Sequence, residues 1–234
     1  MERWDRIVWS ACVVVSILLI AERVRASPIT IQGVKVHVKY DRDVYFPPHK
    51  QQSPFNARCT QATSREIRIA TKDVRRFLKK YNRQTIRNNL KHVFVCGMLR
   101  FHGVQYAGTY IDNGIYVDND DPYFHMHHEF SSILMRNRSF GFPWTEWVML
   151  RSGQGNRSQD PFLTKKIPAY KQTRALLQKG FWIAYAATDL ENDFNVVATY
   201  YMTDRTRLKR KSAKYPKMKA KYDIVDRMYK GLIR

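Results

Sequence analysis

Apolar and polar residues alternate from Ile29 to Tyr45 (ITIQGVKVHVKYDRDVY), the period of a half-buried strand, with a turn at Gly33. Pro47, Pro48 and Pro54 end that run. The period then changes, and from Ser64 to Tyr81 the residues Ile67, Ile69, Val74, Phe77 and Leu78 line one side of a predicted helix with Arg and Lys opposite. Thr85 to Leu90 forms a further short helix. Short strands are expected at Val93 to Cys96, Gln105 to Thr109 and Gly114 to Val117, broken by Gly and by the Asp112-Asn113-Gly114 turn. Asp118 to Asp121 supplies helix N-caps and Pro122 suits a first turn, which predicts a helix from Pro122 to Arg136. A loop rich in Gly, Pro and Ser covers 137–160. Helices follow over Tyr170 to Gly180, Glu191 to Met202 and Lys221 to Leu232, and no internal repeat is visible. The fold class is α+β: a small mixed sheet and a central helix, then a mostly helical C-terminal part.

The helix over YFHMHHEFSSILMR carries the chemistry. At helical spacing His125, His128, Glu129 and Ser132 fall within an arc of about 100°, and Met126, Phe130, Ile133 and Leu134 occupy the opposite arc. A stripe made of imidazole, carboxylate and hydroxyl groups, with no Lys among them, is the wall of a cleft rather than an ordinary solvated face. His127 points about 100° away from His128 and is expected in a supporting or surface position.

His128-Glu129 resembles the start of the zinc-peptidase motif in which His-Glu, two residues and a second His share a helix. Here the segment reads HHEFSS, and Ser132 stands where the second His would. Downstream, GFWIAYAATDLENDFNVVATYYM (Gly180 to Met202) is similar to a segment of zinc-binding, lethal-factor-like (gluzincin-type) metallopeptidases. In those enzymes a Tyr precedes an acidic helix that carries a Glu ligand. The two matches cover roughly a third of the chain and identify it as resembling a zincin-like metallopeptidase.

That resemblance implies a zinc cofactor, His128 as a ligand, Glu129 as the base that activates a metal-bound water, and Tyr185 as the donor to the oxyanion of amide hydrolysis. The third-ligand position falls on Asn192, and Asp193-Phe194 match the family's Asp-Phe pair. Ser132 and Asn192 would then line the cleft at altered ligand positions. A one-residue change of helix phase would bring Glu191 or Asp193 to the metal, and His125 would complete a His-x-x-His pair with His128.

Residues 1–26 look like an export signal: Arg3 and Arg6 precede an apolar run from Ile7 to Ala21, and Val24-Arg25-Ala26 suits cleavage before Ser27. Left uncleaved, the segment would be a membrane anchor. The domain plan is therefore a signal at 1–26, a zincin-like domain at 27–203 and a basic helical segment at 204–234. In an oxidising compartment Cys59 and Cys96 are free to form one disulfide; two buried thiols are the alternative. Asn137-Arg138-Ser139 and Asn156-Arg157-Ser158 fit the N-glycosylation tripeptide, which is common by chance.

The net charge is +21, and +20 without residues 1–26; Asp204 to Arg234 alone holds twelve Lys or Arg against three Asp. Such a charge favours anionic partners, envelope polymers or lipid headgroups first, and for an exported chain it argues against nucleic acid. Tyr215, Tyr222 and Tyr229, spaced by seven, are expected on a buried helix edge. Two functions follow: an exported zinc peptidase acting on a peptide or protein substrate, or a catalytically inactive zincin-fold binding module of the cell envelope with a basic surface.

Overall fold

The structure, a computed structural model, describes residues 27–151 and 168–234. The segment expected to be an export signal, with Cys12, and the Asn156-Arg157-Ser158 tripeptide lie outside the described residues.

Five strands form one sheet in the order β1 (Ile29–Ile31), β2 (Val34–His37), β4 (His92–Val95), β8 (Gly114–Val117), β7 (Gly108–Ile111). The three middle strands run parallel, while β1 and β7 are antiparallel to their neighbours and close the two edges. Because successive side chains leave a strand on opposite faces, the sheet serves two cores. Val93, Val95, Ile115 and Val117 join the main core, whereas Phe94 and Tyr116 join a smaller one on the other face. That smaller core is completed by a second sheet, β3 (Arg58–Cys59), β5 (Leu99–Phe101) and β6 (Val104–Tyr106), and by the short helix α1 (Arg42–Tyr45). Cys59 and Cys96 are disulfide-bonded, with their Cα atoms 5.4 Å apart, which ties β3 to the end of β4.

The remaining helices are α2 (Pro48–Gln51), α3 (Ser64–Lys80), α4 (Arg83–Asn89), α5 (Pro122–Arg136), α6 (Trp144–Arg151), α7 (Arg174–Lys179), α8 (Leu190–Thr203), α9 (Arg205–Ser212) and α10 (Pro216–Tyr229). Thr63 and Glu66 cap α3 reciprocally, each side chain accepting the other's backbone N–H at 3.3 and 2.7 Å. Helix α5 is the centre of the molecule: it packs against α3, α8 and the strands β7 and β8. Among the described residues, no helix is long and apolar enough to cross a membrane.

The α+β class is as expected, and α5 begins and ends where the N-cap and Pro122 place it. Other boundaries differ for local reasons. The strand expected to reach Tyr45 stops at His37, because Asp41 caps α1 by accepting the Asp43 N–H at 3.1 Å. The expected strand Gln105 to Thr109 is two strands in two sheets, β6 and β7, parting at Ala107. Ile69, expected on the buried side of α3, is 46% exposed, one position out of phase with Ala70 and Val74. The loop at 137–160 contains α6, and its Trp147 is fully buried. The basic C-terminal segment holds two helices, and its Leu208, Met218, Tyr222, Ile224, Val225 and Tyr229 belong to the main core. Tyr222 and Tyr229 therefore form the buried helix edge expected of them, while Tyr215, the residue before α10, is half-buried.

Candidate cleft on helix α5

The His125, His128, Glu129 and Ser132 stripe faces inward, toward β7 on one side and α8 on the other. Three of these residues, His125, His128 and Glu129, line a cavity of about 230 Å³ together with Tyr106, Tyr170 and Tyr185. Tyr185 sits in a 3-10 turn (Ala184–Ala187) fixed by its own N–H donating to the Ala169 carbonyl at 2.9 Å. Its ring centre is 5.8 Å from that of His128. Of the residues expected at the site, His125, His128, Glu129 and Tyr185 share this cavity, whereas Ser132, Glu191, Asn192 and Asp193 are not among its lining residues.

Strand β7 forms the cavity's rim, and Gly108 is what lets it approach. A Cβ at that position would stand 3.1 Å from Glu129 Oε1 and 3.2 Å from both Glu129 Cγ and His125 Cβ. Gly108→Ala is therefore expected to overpack the β7–α5 contact and cost about 1–2 kcal/mol, read as a lower urea midpoint. An unchanged midpoint would mean that β7 does not press on Glu129.

Helix α8 decides which of Glu191, Asn192 and Asp193 meets α5. Its N-cap Asp189 accepts the Asn192 N–H at 2.6 Å, which sets the phase of the first turn. Glu191 turns toward β7 and the C-terminal end of α5, where Tyr110 Oη donates to it at 2.8 Å and Arg136 Nη2 at 2.9 Å. Burial opposes its charge, but the hydrogen bonds from Arg136, Ser132 and Tyr110 outweigh that and hold its carboxyl below the usual range. The Asn192 amide donates to Thr188 Oγ1 and Asp189 Oδ2 at 2.9 and 2.7 Å, and also interacts with His128 and Tyr185.

Asp193 does not belong to the cleft. It is fully buried on the opposite side of α8, bonded to Lys221 Nζ at 2.5 Å, Trp147 Nε1 at 3.1 Å and Arg151 Nη1 at 3.2 Å. This corrects its expected role as a metal ligand: its charge is matched by two cations in the core. His127 also differs from its expected supporting or surface position. It is buried among Phe77, Tyr81 and Tyr123, with Nδ1 2.9 Å from Tyr81 Oη.

Burial shapes the electrostatics of the cleft. It pushes Glu129 up to about 8, with the Glu191 charge adding to the effect. It also pushes His128 down to about 4, helped by His125, and lowers His125 itself. Tyr185 is raised by burial and then by Glu129. At neutral pH the cleft therefore presents a protonated carboxyl, two neutral imidazoles and a phenol.

This donor set does not fit the zinc ion that the resemblance implies. Such an ion needs three or four imidazole or anionic donors around one point, and among the described residues no three His, Cys, Asp or Glu side chains are grouped in that way. Asn195 Nδ2 donates to Ser132 Oγ at 2.6 Å, so the second-ligand position is tied into a neutral hydrogen bond. The residues that complete this network, Tyr110, Arg136 and Asn195, were not singled out from the sequence. Arg136 lies one turn after Ser132 and Asn195 one turn after Glu191, so helical spacing alone would have placed them on the facing stripes.

Compared with protein-family models, curated proteins and solved structures, the chain matches none of them.

Proposed function

We propose that the chain is an exported binding protein on a zincin-like scaffold, whose cleft takes up an extended peptide segment without a metal ion. The observation that carries this reading is the hydrogen bonding of two residues expected at a metal site, Ser132 at an altered ligand position and Glu191 as an alternative ligand: Ser132 is held by Asn195 at 2.6 Å, and Glu191 by Tyr110 and Arg136 at 2.8 and 2.9 Å. Groups satisfied in this way gain little from a cation and would have to give up charge-assisted hydrogen bonds to reach one.

Three further features favour a peptide. Strand β7 is an edge of the sheet, and an edge strand is a template for a further extended segment. It lies directly against Glu129, whose protonated carboxyl is a hydrogen-bond donor to a carbonyl. Tyr106, Tyr170 and Phe124 supply apolar walls to the cavity. The Cys59–Cys96 disulfide accords with an oxidising compartment and hence with export. The packing of β7 and α8 on α5, with Asn192 beside His128, supports the zincin-like part of the reading.

The shared cavity of His125, His128, Glu129 and Tyr185 favours a second reading, the peptidase. Metal analysis and a fluorescent casein digest separate the two. The binding reading expects less than about 0.1 zinc per purified chain and no hydrolysis that depends on Glu129. Near-stoichiometric zinc, with hydrolysis lost in Glu129→Gln, would overturn it. Panning a displayed peptide library then tests the cleft directly: selected peptides should lose binding to Gly108→Val, which fills the rim, and retention by that variant would place their site elsewhere.

A further inference from the structure

A cavity of about 690 Å³ lies between the β1–β2 turn, helix α4 and the start of β4, and it shares no lining residue with the α5 cleft. Its walls carry Lys35, Arg83, Arg87 and Lys91, and its floor is made by the buried side chains of Ile86 and Leu90. No carboxylate lines it, and among the described residues none of these four cations is in an ion pair.

The local sequence holds the charges together. Arg83 and Arg87 are one turn apart on α4, which contains no acidic residue, and like charges at that spacing destabilise a helix. Lys35 stands opposite His92 across the parallel β2–β4 pair, and its N–H donates to the Lys91 carbonyl at 2.9 Å. The resulting field reaches the neighbouring imidazoles. His92 is lowered by burial and then by Lys35 and Lys91, and His37, 3.0 Å from it, is pushed down to about 4 by burial, His92 and Lys35. Asp43 and Asp112 line a separate depression that shares only Lys91 and His92 with this one.

We propose that this cavity binds a ligand carrying two or more phosphoryl groups. Its volume is that of an ordinary ligand pocket. Two guanidinium forks suit the bidentate recognition of phosphate oxygens, and two ammonium groups add point charges. A monocarboxylate would leave most of the four charges unmatched, whereas linked phosphates match them within one cavity. Gln32 and Gln84 at the rim add neutral amides for the ligand's remaining oxygens. The inference does not rest on the reading of the α5 cleft.

The probe is sodium tripolyphosphate, titrated calorimetrically into the full protein at about 0.1 M salt, where interactions beyond roughly 10 Å are screened. One saturable site per chain is expected. Arg83→Gln/Arg87→Gln and, separately, Lys35→Gln/Lys91→Gln should each weaken binding by about tenfold or more. Lys209→Gln/Arg210→Gln, which removes the same charge from α9, should change it by less than about twofold. Ligand at saturation should also raise the His92 titration midpoint seen by NMR, a response that diffuse charge binding elsewhere would not produce. Equal loss in the α9 variant, an unmoved His92 or the absence of a saturable site would each overturn the proposal. Vesicles containing a phosphatidylinositol bisphosphate, whose headgroup carries linked phosphoryl groups, give the second arm: capture that is lost in the Arg83/Arg87 variant makes a lipid headgroup the source of the phosphates, and tripolyphosphate binding without capture makes it a soluble ligand.

Discussion

Asp193→Ala is expected to cost the folded state about 3–5 kcal/mol, seen as a large fall in the urea midpoint. Asp193 has no exposed surface, and neither has Lys221, whose ammonium it meets at 2.5 Å. Lys221 Nζ also donates to the Gly180 carbonyl at 2.7 Å and lies 4.8 Å from the centre of the Phe181 ring. Burial already lowers the Lys221 pKa, and the Asp193 charge is what opposes that shift. Without the carboxylate, burial lowers the Lys221 pKa unopposed, so the ammonium stays unpaired or gives up its proton at a cost in stability; Arg151 keeps its charge with one acceptor fewer, and the Trp147 N–H loses its acceptor. The first turn of α8 also loses an acidic residue that favours the helix N-terminus. The double variant Asp193→Leu/Lys221→Met should regain much of the loss, because it removes the two fully buried ions and fills their volume, while Arg151 keeps the Ala186 and Asp189 carbonyls as acceptors. A loss below about 1 kcal/mol in the single variant would show that the cluster is hydrated and that Asp193 is less confined than its contacts imply.

The same residue shows where sequence reasoning reaches its limit. The phase of α5 was legible because its apolar arc, Asp121 and Pro122 agree on one register. The phase of α8 was not, since Glu191, Asn192 and Asp193 are consecutive polar residues and each step turns the helix by about 100°. The cap at Asp189 settles it locally, but the reason Asp193 faces inward is nonlocal: Lys221 and Trp147 are 28 and 46 positions away in the chain. Sheet membership was hidden in the same way. Nothing between Gln105 and Thr109 announces that β6 and β7 pair with different partners, and the division at Ala107 depends on Leu99 and Val117 across the two sheets. The C-terminal cations masked a helix for another reason. In α9 only Leu208 among RTRLKRKS is apolar, so the segment has no periodicity to detect, and it stays helical through its Asp204 cap and its packing on α8 and α10. By contrast, the parallel strands β4 and β8 were readable from composition, because strands buried on both faces are rich in Val, Ile and aromatic residues.

Glu129→Gln should abolish the decline of stability with pH above neutrality. Burial and then Glu191 push Glu129 from 4.5 up to about 8. Between those values the folded protein keeps a proton that the unfolded chain has released, so each pH unit removes about 1.4 kcal/mol of stability. The contribution is fully present below pH 4.5 and is lost as pH rises through about 8. The buried imidazoles act in the opposite direction. His128 is pushed down to about 4 by burial and then His125, and His125 and His127 are lowered mainly by burial. Below about 6.5 they take up protons in the unfolded chain first, so stability falls as the solution becomes acid. Several imidazoles outweigh one carboxyl on the acid side, while Glu129 acts without them above pH 6.5. The wild-type profile should therefore peak near pH 6.5 and decline toward pH 8. Gln keeps the shape and a donor group but cannot ionise, so the variant should lose the alkaline decline, retain the acid one and exceed the wild type at pH 9 by on the order of 3–5 kcal/mol. Urea midpoints of both proteins across this range provide the measurement. Parallel curves above pH 6.5 would mean that Glu129 is already ionised at neutrality. The cleft would then offer a carboxylate acceptor to its ligand, and the protonated donor that favours a peptide carbonyl would be absent.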